Sequence, residues 1–156
     1  MLETTVTFKQ QVLEEAIKRQ LSLIADFRER ISDLMANDGN TNEEEYDLQS
    51  QAIMHENTSK VNLINNQLWF ANEELQRLYK LQTNIHYRNE TAQLGALVTT
   101  DRGIFFVSTS IEKFTVDGTP IFGLSTQSPL FQSMIGKNAG EEFEYKGTKY
   151  VIQSVQ

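Results

Sequence analysis

The sequence contains no cysteine, and its 14 Lys and Arg residues are outnumbered by 21 Asp and Glu residues. Without cysteine, the 156-residue chain has no disulfides, zinc–thiolate sites or cysteine nucleophiles, which fits a reducing compartment. The net charge of -7 and the pI near 4.8 argue against direct binding to bare nucleic acid, which usually needs a basic face.

Long apolar runs are missing as well. The chain begins with Met1-Leu2-Glu3 and lacks the basic segment of a secretory signal. Its apolar runs are far shorter than the roughly 20 residues of a membrane-spanning helix. The sequence therefore predicts a soluble cytoplasmic protein that does not contact the membrane. His55 and His86 have no second histidine or carboxylate at metal-ligand spacing, so no metal site is expected in the free protein.

Two segments repeat apolar residues with a heptad period, which is typical of coiled-coil helices. The first seam contains Leu13, Ile17, Gln20, Ile24, Phe27, Ile31 and Leu34. The second contains Met54, Val61, Ile64, Leu68, Ala71, Leu75 and Leu78, with Asn57 as a polar interruption. Turn formers at residues 37–42 separate the seams. The pattern predicts an antiparallel hairpin with an arm of about 45 Å, and the adjacent Trp69 and Phe70 are expected in a widened hydrophobic base.

The acidity of the chain is concentrated where this hairpin turns. Five acidic residues and no basic one lie between residues 38 and 47: Asp38, Glu43, Glu44, Glu45 and Asp47. Such a cluster at the end of a helical arm suggests delivery of negative charge into a confined site. A solvated loop is the other interpretation.

The pattern changes after about residue 91, where short apolar strands alternate with turns. Ser128 and Pro129 have the positions of the N-cap and first residue of a short helix that ends at Gly136. We therefore predict an α+β protein with two domains: a coiled-coil hairpin at residues 1–90, with its acidic tip near 38–47, and a small antiparallel β domain with one short helix at residues 91–156.

The chain resembles the bacterial Gre transcript-cleavage factors. The resemblance is clearest over residues 94–155, through Ser128-Pro129-Leu130, Ile135-Gly136-Lys137, Gly140-Glu141 and the closing hairpin. It implies an FKBP-like fold for the β domain and a coiled coil of this length before it. It also implies a transcription elongation factor whose partner is bacterial RNA polymerase.

The mechanism implied by the resemblance is transcript cleavage without an active site of the factor's own. In that family the β domain binds the rim of the polymerase secondary channel and the coiled coil enters the channel. Tip carboxylates then help hold Mg²⁺ in the polymerase active centre, which cleaves backtracked RNA. Here Asp38, Glu43 and Glu44 would supply the carboxylates, and Ser128 and Pro129 would contact the polymerase. The protein would be a monomer that is not itself an enzyme and has no cofactor of its own.

The tip departs from the family pattern, which is roughly Gly-Asp-Leu-x-Glu-Asn-Ala-Glu-Tyr. Aligning Glu45-Tyr46 with its end places Gly39 at the family's Asp and Asn42 at its Glu. Asp38 and Glu43 each lie one place away. Gln127 also occupies a position that is often acidic in the family.

Three further functions remain open. A secondary-channel regulator on the same scaffold would occupy the channel without stimulating cleavage. A coiled-coil interaction module would be unrelated to transcription, although the central turn cluster favours a hairpin within one chain. A prolyl isomerase would use Phe105, Phe106, Phe122, Tyr145 and Tyr150 as pocket residues, although their strand spacing is more typical of a sheet core.

Overall fold

The computed structural model describes residues 7–38 and 48–156. Two long helices come first, α1 (Phe8–Asp38) and α2 (Leu48–Leu81). They are followed by β1 (Leu97–Thr100), β2 (Gly103–Ser108), β3 (Ile111–Val116), β4 (Thr119–Ser125), α3 (Pro129–Met134), β5 (Glu142–Tyr145) and β6 (Thr148–Val155). The fold class is α+β, a helical hairpin followed by a six-stranded sheet with one short helix, as the sequence predicts.

The burial of the two helices follows the predicted heptad seams. In residues 20–36 of α1, the side chains that are not exposed are Gln20, Ile24, Phe27, Ile31 and Leu34, all of them seam positions. In residues 51–70 of α2 they are Met54, Asn57, Val61, Ile64 and Leu68, which include the polar interruption. The period of the apolar residues therefore determined which face of each helix is covered.

The polar seam position Gln20 has a specific partner. Its side-chain Nε2 donates a buried hydrogen bond of 2.9 Å to the backbone carbonyl of Ala71. Gln20 is only 3% exposed. Burying an amide is costly unless it is hydrogen-bonded, so this bond favours the register that places residue 20 of α1 opposite residue 71 of α2.

The chain divides into two compact units. One contains the described residues up to Arg19 together with Leu75–Gln156, and the other contains Gln20–Glu74. The first unit thus includes the start of α1, the end of α2 and the whole sheet. The predicted domain boundary near residue 90 divides the chain into two consecutive parts, whereas the first compact unit combines both ends of the chain. That boundary stays a prediction.

The sheet has the strand order β3-β4-β2-β1-β6-β5. Its neighbouring strands are antiparallel except for β2 and β4, which are parallel over Ile104↔Ile121 to Ser108↔Ser125. The expectation of a wholly antiparallel sheet is therefore wrong at this pair. The reason is that β3 pairs with β4 at the sheet edge, so β4 takes the place beside β2 that a simple meander would give to β3.

Gly123 allows this arrangement. It pairs with Phe106 on β2 and with Ile111 on β3. A Cβ atom built on Gly123 would lie 2.6 Å from Ile111 Cβ and 2.8 Å from both the Ile111 nitrogen and the Thr109 carbonyl oxygen. The chain that leads from β2 into β3 therefore passes against the backbone of β4 at a distance that only glycine permits.

Two hairpin turns use the same residue pattern, in which glycine is the second of two residues. Asp117-Gly118 joins β3 to β4 with φ values of 49° and 75°, and Lys146-Gly147 joins β5 to β6 with 50° and 78°. Two consecutive residues with positive φ form a type I′ turn, which matches the twist of the paired strands.

The sheet is buried on both faces. On one face, a cluster includes Phe105, Val107, Phe131, Met134 and Ile152, so α3 contributes to it. Phe106 follows Phe105 on β2, points to the opposite face and is fully buried. The alternation of side chains along a strand thus supplies two cores from the continuous apolar run of β2.

A capping box begins α1. Gln10 N donates to Thr7 Oγ1 at 3.2 Å, and Thr7 N donates to Gln10 Oε1 at 2.8 Å. This reciprocal pair is the expected arrangement for a Thr followed three residues later by Gln. The Gln10 Nε2 group then donates to Nδ1 of His86 at 2.9 Å, and Lys9 Nζ donates to the carbonyl of Tyr87 at 3.1 Å.

We expect Gly123→Ala to lower the free energy of unfolding by about 1–3 kcal/mol, because its methyl group must displace backbone atoms. Urea unfolding measures the change. Gly118→Ala is the control, since no atom lies within 4 Å of its Cβ position and only the positive φ penalises it. If the Gly123→Ala variant were at least as stable as the Gly118→Ala variant, the close approach would be contradicted.

Lys9 gives the stability a pH dependence, because burial lowers the pKa of its ammonium group below the usual 10.5. As pH rises toward 10.5, folded Lys9 loses its proton before unfolded Lys9 does. The unfolded chain then binds more protons, so stability rises with pH relative to a chain without this lysine. Urea unfolding of the parent and of Lys9→Met from about pH 7 to about pH 10.5 tests this. The free energy of unfolding of the parent, relative to that of Lys9→Met, should rise with pH. A fall with pH would contradict the burial effect.

Candidate partner-binding surface

The structure places Ser128 and Pro129 at the start of α3. Ser128 has an extended backbone with φ -72° and ψ 143°, and its hydroxyl oxygen accepts a hydrogen bond of 3.2 Å from Phe131 N. Pro129 occupies the first helical turn, where a missing N–H costs nothing. Phe131 and Met134 of the same helix are buried. The predicted N-cap is confirmed, and the predicted contact of these residues with a partner stays a prediction.

The outer side of α3 is polar without being charged. Gln127, Pro129, Gln132 and Ile135 are exposed, and we call these four residues the α3 surface. Gln132 Nε2 donates to the Thr126 carbonyl at 2.8 Å, which fixes the side chain across the start of the helix. A partner at this surface would meet amide groups and apolar atoms, so its recognition would depend on hydrogen bonds and shape instead of ion pairs.

The sequence did not point to Gln132, and it pointed to Ile135 only as part of the pattern Ile135-Gly136-Lys137. Ile135 is 55% exposed although it follows the buried Met134. The helix ends here, and Gly136 has a φ of 73°.

The predicted tip carboxylates fall outside the described part of the chain. Glu43 and Glu44 lie in the segment 39–47, and of Asp38 only the backbone is described, as the last residue of α1. Their role in holding a metal ion therefore stays a prediction.

Trp69 and Phe70 do not form the buried base that the sequence suggested. They are 66% and 53% exposed. The reason is geometric, because residues 69 and 70 lie about 100° and 200° around the helix from the seam position Leu68. Phe70 instead borders an open groove of about 370 Å³ within the hairpin, whose lining also includes Leu23, Phe27, Gln67 and Ala71.

The aromatic residues of the β domain pack against one another. Phe143 and Tyr150 stack with ring centroids 4.8 Å apart, and Phe105 lies 6.4 Å from Tyr150 and 5.8 Å from Phe122. Phe106 is on the other face of the sheet. The five residues considered for a prolyl isomerase pocket are therefore split between two faces, and Phe105 and Phe106 are buried as expected for a core.

Within the described residues, no group of three or more His, Asp or Glu side chains is placed to hold a metal ion. His86 is exposed and bonded to Gln10, and His55 is exposed on α2. Among the helices of residues 7–38 and 48–156, none is both long and apolar enough to cross a membrane.

Comparison with known proteins does not assign the chain to a family. No protein family and no curated protein matches the sequence. Among solved structures, the GreA factor homolog 1 (Gfh1) protein of Thermus thermophilus is similar at 11% identity and a TM-score of 0.33, over 97% of this chain and 96% of that chain. A similarity of this size carries no argument about activity.

We expect Ser128→Ala to lower the free energy of unfolding by about 1 kcal/mol, because the N–H of Phe131 loses its acceptor. Ser128→Asp is the matched control, since a carboxylate caps a helix equally well, and it should be as stable as the parent. Chemical unfolding measures both variants. Equal stability of the two variants would show that the hydroxyl does not act as a cap.

Proposed function

We propose that this protein is an accessory factor of bacterial RNA polymerase that stimulates cleavage of backtracked RNA. The observation that carries the proposal is the order of elements: two long helices with an acidic segment between them, followed by a β domain whose short helix begins with Ser128-Pro129. The similarity of residues 94–155 to the Gre factors supports the same function.

The helical hairpin is a narrow element of considerable length. Residues 20–38 of α1 extend over about 28 Å at roughly 1.5 Å per residue. The hairpin here is two helices thick, with the seam positions turned toward each other, as in the bond from Gln20 to Ala71. Such an element can enter a channel that a globular domain cannot enter.

Chemically, the acidic segment would act on a metal ion held mainly by the polymerase. Mg²⁺ prefers oxygen ligands and is usually bound by one or two carboxylates together with water and phosphate oxygens. Asp38, Glu43 and Glu44 would complete that set and orient the attacking water. The α3 surface would contact the polymerase outside the channel, so that binding and stimulation depend on different parts of the chain.

A second candidate function is occupation of the channel without cleavage. The specific observation in its favour is that Gly39 and Asn42 stand where the Gre pattern has its two metal-binding acids. Neither residue supplies a carboxylate. A regulator of this kind would bind the polymerase and suppress the action of a cleavage factor.

The test is RNA cleavage in a backtracked elongation complex of a bacterial polymerase, with the parent protein and with Asp38→Asn/Glu43→Gln/Glu44→Gln. We expect the triple variant to lower the stimulated cleavage rate by at least about tenfold, because metal sites depend steeply on their carboxylates. Its binding to the polymerase, measured by co-elution, should be unchanged.

The matched control is Asp26→Asn/Glu29→Gln/Asp33→Asn, which removes three exposed acids from α1 outside the tip. It should cleave like the parent. Equal loss in both triple variants would mean that overall charge matters and tip chemistry does not. Binding without stimulation, with suppression of a Gre factor added to the same complex, would favour the channel-occupying function instead.

A further inference from the structure

A cavity of about 310 Å³ lies beside the start of α1. It is lined by Thr7, Lys9, Ile85, His86, Tyr87, Arg88 and Gln156, all of which belong to the compact unit that contains the sheet. Among the residues that the structure describes, this lining includes two cationic side chains and no acidic one. The side-chain charge of the lining is therefore opposite to that of the chain as a whole, which has a net charge of -7.

The backbone of Gln156 at the edge of this cavity is already paired. Its nitrogen donates to the Leu97 carbonyl at 3.0 Å, and its oxygen accepts from Leu97 N at 3.0 Å and from Asn89 Nδ2 at 3.3 Å. These bonds hold the end of β6 against β1. This backbone oxygen is therefore directed to donors other than the cationic side chains of the cavity.

Lys9 is the buried cation in the lining of this cavity. Its side chain is on the first turn of α1, and the residue is only 5% exposed. Lysine is rarely buried to this extent without an anionic partner. Within the residues that the structure describes, its Nζ makes one hydrogen bond, to the carbonyl of Tyr87 at 3.1 Å, and it forms no ion pair.

The ammonium group has further donors to offer. A protonated lysine carries three N–H groups, and the bond to Tyr87 uses one of them. Burial lowers the pKa of Lys9, which reflects the cost of holding this charge away from water. A bound anion would remove that cost.

Part of the helix terminus is already bonded within the chain, since Gln11 N donates to the Thr7 carbonyl at 3.0 Å. The capping box between Thr7 and Gln10 occupies the backbone N–H of Gln10. The charged side chains that would attract an anion at this cavity are those of Lys9 and Arg88. Arg88 is exposed and also lines the cavity.

We propose that this cavity binds a phosphate group. A phosphate carries up to two negative charges near neutral pH and several acceptor oxygens, which match the two cations of the lining. Arginine can hold two phosphate oxygens at once, and lysine acts as a compact point charge on a third. A single carboxylate would leave one of the two cations uncompensated. This site is independent of the proposed action of the acidic tip.

The experiment is a titration of the full chain with inorganic phosphate, at constant pH and at an ionic strength balanced with sodium chloride. Amide chemical shifts of residues 9, 10 and 86–88 report on the cavity, and calorimetry gives the affinity. We expect saturable binding with a Kd of about 1 mM or tighter. Lys9→Met and Arg88→Gln should each weaken it by about tenfold, since each removes a charge-assisted contact.

Lys113→Met is the matched control, because Lys113 is exposed on β3 and does not line the cavity. It should bind phosphate like the parent. Arg88→Gln keeps the test decisive if Lys9→Met does not fold, since Arg88 is exposed. Shifts that do not saturate, or equal weakening in Lys113→Met, would overturn the site.

A parallel titration with glycerol 3-phosphate distinguishes the source of the phosphate. Binding tighter than that of inorganic phosphate supports a site for a phosphomonoester carried by a larger molecule. Equal binding supports a site for the free ion. Failure of both titrations overturns the proposal.

Discussion

The close approach at Gly123 is the constraint on which the β domain depends. It allows the chain between β2 and β3 to pass against β4, so β4 can occupy the interior of the sheet as the parallel neighbour of β2. The chain then leaves β4 at Ser125 and reaches Ser128 within three residues, which begins α3 over the same core. A side chain at residue 123 would disturb the strand order and, through it, the position of the α3 surface.

The helices and turns could be predicted from the sequence because their signals are local. A heptad period places Ile24 and Phe27 on one face of α1 without knowledge of the partner helix. Asp117-Gly118 and Lys146-Gly147 have positive φ at both residues, and the glycine in each pair is the local signal for such a hairpin turn. The parallel pairing of β2 and β4 has no such signal, because it depends on a backbone contact between Gly123 and Ile111 that the order of residues does not display.

The candidate surfaces also divide into one that has a local signal in the sequence and one that has none. Ser128 and Pro129 could be identified because an N-cap followed by proline is a short-range pattern, and the hydrogen bond to Phe131 N confirms it. The cavity at Lys9 could not be identified, since Lys9 and Arg88 are brought together only by the return of the chain after α2. A basic residue in the first turn of a helix is common in sequence, and its burial becomes visible only in three dimensions.

The exposure of Trp69 has a practical consequence. It is the single tryptophan of the chain, and two thirds of its surface already meets water in the folded protein. Its fluorescence should therefore change little when the protein unfolds, whereas a partner that covers this part of α2 with an apolar surface would move the indole out of water. The protein thus contains an intrinsic optical probe for association along its helical hairpin.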